Sequence, residues 1–156
     1  MNTNLQFIVA SSPGHYQAAH RLIKAEWGGR QSLGFPTILA YDGDDLVGMC
    51  GTRIVNKMIL AGPLMVRTDR RRMFTVLRLC EAYEAAMGSM GISSFILSVD
   101  RGSVLQRAVE RYLPTQKPYA TDDNTDFHVW KVRGYVDKGI SAGSLGGRES
   151  PAAGAV

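Results

Sequence analysis

Residues 58–72 read MILAGPLMVRTDRRR, an apolar strand pattern interrupted at Gly62-Pro63 and running directly into a basic turn. Proline has no N–H for a sheet ladder, and glycine tolerates irregular backbone. Together inside a strand they predict a bulge. We expect Met58–Val66 to splay there from a neighbouring strand at Ser94–Val99, opening a V-shaped cleft. The turn Arg67–Arg72 holds four arginines and one aspartate, so +3 of the chain's net +4 lies in six residues. A local cluster of that kind implies one anionic partner at one place. Arg70, Arg71 and Arg72 stand where a helix begins. Cations there oppose the helix macrodipole by ~0.3–1 kcal/mol each, and a docked phosphate offsets that cost. The alternative is that these arginines are solvated or paired with acidic residues of another chain.

Outward from this stretch, strand and helix patterns alternate. Leu5–Ala10 reads as a strand, and an amphipathic helix over about His15–Trp27 follows, ended by Gly28-Gly29. Pro36–Tyr41 and Leu46–Val55 are strands joined by the turn residues Asp42-Gly43-Asp44-Asp45, and Asn56-Lys57 turns the chain into Met58–Val66. Beyond the basic turn comes a helix over about Met73–Met87. Its polar residues Arg78, Glu81 and Glu84 recur every third position and predict one solvated stripe. The apolar run in Ser94–Val99 suits a strand covered on both faces. Ser103 with Gln106 makes a capping box for a helix through Tyr112, stopped by Pro114, and Asp126–Val132 is a last strand. The order β-α-β-β-β-α-β-α-β predicts an α/β fold, a mixed sheet with helices on both faces.

The length of 156 residues, with 45% apolar and 21% charged residues, fits one globular domain, over residues 1–133. No run approaches the ~18 apolar residues of a membrane span. The N-terminus lacks the basic segment of a secretory signal, and Cys50 and Cys80 make no disulfide framework. A cytoplasmic location is the expectation. Residues 134–156, with six glycines in 23 residues, read as a Gly/Ser/Ala-rich tail.

The strand broken at its centre, the cationic turn, the long helix, the buried strand and the helix containing Ala108-Val109-Glu110-Arg111-Tyr112 resemble the GNAT family of acyl-CoA-dependent N-acyltransferases. The resemblance covers residues 5–133. The family's coenzyme signature is Arg or Gln, two residues, Gly, one residue, then Gly or Ala. Set on Arg71, its small residues fall on Phe74 and Val76. The resemblance implies acetyl-CoA or coenzyme A held by Leu64, Met65 and Val66 on the strand and by Arg70, Arg71, Arg72, Phe74 and Thr75 at the turn. The family's carboxylate base on the fourth strand has no counterpart in Met58–Val66. Its tyrosine acid falls on Ala108 or Val109, with Tyr112 one turn later. Tyr112 and Glu26 are the catalytic candidates. His15, His20 and His128 lack ligand spacing, and no metal is expected. Asp122, Asp123 and Asp126 lack the glycine and terminal glutamate of an EF-hand and read as a polar loop.

Two readings from different classes stay open. One is an N-acetyltransferase acting on a small amine or a protein amine. The other is a catalytically degenerate structural protein with this fold. Phages encode proteins of that kind, some of them made with virion parts, and a protein partner would order the tail. The basic turn lacks the interleaved aromatics of a nucleic-acid surface. The tail's composition predicts that the amides of 134–156 exchange at unprotected rates in the isolated monomer. Hydrogen-exchange mass spectrometry checks this, and protection there would count against it.

Overall fold

The structure, a computed structural model, describes residues 4–70, 72–112 and 118–133. Arg71, Pro114, the tail 134–156 and the side chains of Arg72 and Tyr112 lie outside the described part. The elements are β1 (Leu5–Val9), α1 (Pro13–Trp27), β2 (Ile38–Asp42), β3 (Asp45–Val55), β4 (Met58–Val66), α2 (Arg72–Ser89), β5 (Ser94–Asp100), α3 (Val104–Tyr112), β6 (Ala120–Thr121) and β7 (Thr125–Lys131). They form one mixed sheet in the order β1-β2-β3-β4-β5-β7-β6. The predicted elements are all present. The two-residue β6 is additional, too short and polar to carry a hydrophobic pattern.

Local chemistry sets the boundaries. Ser12 caps α1 by accepting the His15 N–H, Pro13 occupies the first turn, and Gly28 closes the helix in the left-handed conformation. Asn56 and Lys57 both have positive φ, as the two-residue turn between β3 and β4 requires. At α3 the capping box is offset. Ser103 Oγ accepts the Gln106 N–H, while Gln106 Oε1 accepts from Gly102 rather than from Ser103.

The sheet is packed on two sides. Ala19, Leu22 and Ile23 of α1 cover Leu39, Met49 and Met65 on one face. On the other, Leu79, Tyr83 and Met87 of α2 and Leu105, Ala108 and Val109 of α3 cover Ile38, Cys50, Phe95, Leu97 and Trp130. Phe95 meets Tyr83 edge-on and stacks on Trp130. The Tyr83 hydroxyl bonds Thr52 Oγ1 at 2.6 Å, and Thr52 in turn donates to the Pro36 carbonyl at 2.6 Å. Cys50 and Cys80 are buried free thiols. Burial above all raises both pKa values, that of Cys80 to about 12, so neither is a nucleophile.

Glu84 departs from the expected solvated stripe. It is 6% exposed. Its carboxylate accepts the Arg133 backbone N–H at 2.6 Å, the Arg133 guanidinium at 2.8 Å and a side-chain hydrogen bond from Trp130. The i, i+3 spacing could not reveal this, because the partners arrive from the end of β7, 49 residues on. Burial pushes the Glu84 pKa up, but the bonds from Arg133 outweigh it and hold the carboxyl below its ordinary value. A lowered folded-state pKa stabilises the fold above the unfolded value of ~4.3, and that contribution fades as pH falls through the folded value. Since the Arg133 guanidinium is largely exposed, solvent screening weakens the pair. Arg133→Met is expected to cost about 1–2 kcal/mol at pH 7. In urea melts across pH, its difference from wild type should shrink below pH ~4.3. A difference independent of pH would dismiss the ion pair as its source.

Candidate active site

Gly62 and Pro63 together oppose the single residue Gly51. The β3–β4 register passes from Cys50↔Leu64 to Thr52↔Ala61 across them. This two-against-one count is a β-bulge, as expected from the sequence. Gly62 has φ +147°, a region that side chains rarely adopt. Gly51 sits in close packing: a Cβ there would stand 2.7 Å from Leu33 Cδ2 and 3.3 Å from Pro63 Cδ, so the Leu33 side chain would have to move to admit one.

The bulge also ends the pairing with β5. The parallel ladder between β4 and β5 consists of Leu60↔Ile96 and Ala61↔Leu97, and stops there. Beyond it β4 continues on β3 alone, and β5 continues on β7 alone. A cleft of about 290 Å³ opens between them, with Pro63 and Leu64 on one wall and Ser98 and Asp100 on the other. Antiparallel strands direct alternate residues' backbone groups to opposite sides. The Arg67 N–H donates to the Val47 carbonyl, so Met65 faces β3 likewise. Leu64 and Val66 turn their N–H and C=O groups toward the diverging β5. The Met65 side chain is buried under α1.

Charge in and near the cleft is arranged in a way the sequence did not reveal. Arg67 binds Asp69 in a bidentate pair at 2.6 and 3.1 Å. The Asp69 hydrogen bond is the main cause of the raised Arg67 pKa, and the same bond is the main cause of the lowered Asp69 value. Arg70 reaches Asp42 at 2.9 Å and Asp45 at 3.4 Å, across the β2–β3 turn. Of Arg70, Arg71 and Arg72, expected to face an anion, be solvated or pair with another chain, Arg70 is engaged by carboxylates of its own chain. Arg67 is engaged by Asp69 within the turn, and Arg70 by Asp42 and Asp45 because the β2–β3 hairpin ends beside the turn.

Thr75 is buried. Phe74 is 46% exposed, and the Arg78 guanidinium lies 5.8 Å from its ring and 5.6 Å from that of Phe7. Glu26 acts by charge on Arg67 and does not line the cleft, where the end of α1 contributes Trp27 instead. Ala108 and Val109 are core residues.

Residues passed over in the sequence do line the cleft. Arg53 reaches it from β3, Ser98 and Asp100 from β5, and Thr125 and Phe127 from β7. Strand alternation could have placed Ser98 and Asp100 on one face, but only the β4–β5 divergence opens that face to solvent. No group of His, Cys, Asp or Glu among the described residues could hold a metal. No described helix is long and apolar enough to cross a membrane.

Replacing Gly62 by valine puts a branched side chain at φ +147°, with Ser98 Oγ 3.5 Å from its Cβ. We expect a loss of about 1–3 kcal/mol in thermal or urea unfolding. Unchanged stability would show that the bulge tolerates an ordinary residue.

No protein-family model matches the sequence, and no curated protein is significantly similar to it. Solved structures are similar in fold. A protein assigned to the GNAT family of acetyltransferases from Desulfovibrio desulfuricans superposes with TM-score 0.63 at 11% identity, over 82% of this chain and 99% of that one. The ribosomal-protein-S18-alanine N-acetyltransferase of Escherichia coli gives 0.59 at 14%, over 82% and 94%. The NatC complex bound to Gag peptide and coenzyme A gives 0.55 at 14%, over 80% and 96%. With its mixed sheet forking at a bulged fourth strand, this chain has the GNAT fold.

Proposed function

We propose that the protein is an N-acetyltransferase that takes acetyl-CoA at the β4 edge and an amine in the cleft between β4 and β5. The observation that carries this reading is the early end of the β4–β5 ladder. It frees the backbone groups of Leu64 and Val66, and an amide-bearing chain such as pantetheine pairs with a free strand edge. The coenzyme-bound neighbour of the same fold supports the choice of donor. Acetyl-CoA supplies an acyl group activated as a thioester.

The fit of the basic turn is narrower. With Arg67 and Arg70 engaged by Asp69, Asp42 and Asp45, the pyrophosphate falls to Arg71, Arg72 and the backbone N–H groups that open α2. Phe74 stands beside that opening in place of a small residue.

The acceptor must lose two protons from its ammonium form as the C–N bond forms and the C–S bond breaks. One ends on the departing thiol and the other on a base. Asp100 is the carboxylate at the cleft wall and takes the role of base in this reading. The acceptor is a small amine or a protein amine.

Isothermal calorimetry at low salt tests the donor site directly. Coenzyme A binding is expected, and a ligand at ~100 times its dissociation constant should raise stability by ~2.7 kcal/mol in a melt. Absence of heat at millimolar coenzyme A would leave only the non-enzymatic scaffold. If binding is found, Asp100→Asn should lower kcat/KM about 10²-fold or more with coenzyme A affinity retained. An unaffected kcat/KM would remove Asp100 from the mechanism.

A further inference from the structure

Arg53 stands out among the described cations. Its Nε is buried and has no hydrogen-bond partner. Among the described residues no carboxylate pairs with it, and no other described arginine has a buried Nε without a partner. Its Nη2 lies 4.0 Å from the Cβ position of Gly62, at the apex of the fork, and its side chain lines the cleft. A buried guanidinium N–H left unpaired is costly. The planar fork of donors matches a carboxylate.

The same cleft holds a charge of the opposite sign. Among the described residues the Asp100 carboxylate accepts one hydrogen bond, from Thr125 Oγ1 at 3.2 Å, and Asp100 is exposed. Arg53 and Asp100 line one cavity without pairing with each other. A cavity with separated charges of opposite sign complements a zwitterion. Its 290 Å³ lies at the lower end of the ~300–1,000 Å³ range for ligand pockets, which favours a small molecule. Trp27 and Phe127 add apolar surface around it.

We infer that the acceptor is a free α-amino acid, its carboxylate on the Arg53 guanidinium and its amino group turned to Asp100. This rests on the acetyltransferase reading and specifies its substrate class. Arg53 is a specificity-determining residue in it, and it shares the cleft with the donor residue Leu64.

The test follows thiol release from acetyl-CoA with each of the twenty common α-amino acids, run beside its carboxamide. At least one acid should exceed its amide by about ten- to a hundredfold in kcat/KM, the size of one charge-assisted pair. Arg53→Met should collapse that preference, with coenzyme A affinity by calorimetry unchanged. Arg53→Lys, which keeps the charge but not the planar fork, should restore it in part and guards against misfolding of the first variant.

Equal rates for acids and amides, or no amino acid accepted by a protein that binds acetyl-CoA, would overturn the inference and leave the acetyltransferase reading standing. A loss of coenzyme A affinity in Arg53→Met would overturn it too, by assigning Arg53 to the donor. If acetyl-CoA does not bind, the acetyltransferase reading fails by itself, and the Arg53 Nε–H resonance is then decisive. A shift on titration with the same amino acids, and not with their amides, supports the carboxylate site. An unmoved resonance rejects it.

Discussion

A sheet can pair every strand along its whole length only if each residue faces one partner. At Gly62 and Pro63 two residues of β4 face one residue of β3, Gly51, and the strand bends. Past that point β4 follows β3, and β5 follows β7, so the two halves of the sheet part. The cleft, the free backbone edge at Leu64 and Val66 and the exposure of Ser98 and Asp100 all depend on this mismatch. Gly62 adopts the φ of +147° that the bend requires, and Leu33 and Pro63 pack closely against Gly51 opposite it. Thr52, the residue after Gly51, is tied on one side to the Pro36 carbonyl and on the other to Tyr83 of α2.

Around the fork, charges divide into satisfied and unsatisfied sets. Arg67 and Arg70 are held by Asp69 and by the hairpin acids Asp42 and Asp45. At the other end of the sheet, Arg101 is held by Asp126 and by the carbonyls of Asp122 and Asp123. Asp122 itself accepts the N–H groups of Asn124 and Thr125, so the acidic loop before β7 organises its own turn and anchors an arginine. Arg53 belongs to neither arrangement. Excess charge in the sequence thus does not tell which of its arginines are already paired. Two arginines of the densest cluster, Arg67 and Arg70, are paired locally, while Arg53 on β3 has a buried Nε with no partner among the described residues.

The sequence by itself determined the succession of elements, because each signal is local. Glycines and prolines mark the turns, the 3.6-residue period marks α1, and Gly62-Pro63 marks the bulge whatever lies around it. The partners of charged groups depend on chain reversal and could not be read in this way. Arg70 finds Asp42 28 residues earlier in the chain, and Glu84 finds Arg133 49 residues later. The same holds for the cleft. Arg53, Ser98, Asp100 and Phe127 come from three strands, and each looks unremarkable in its own segment. Only the tertiary structure brings them to one cavity, because the parting of β4 from β5 exposes a face that continuous pairing would have closed.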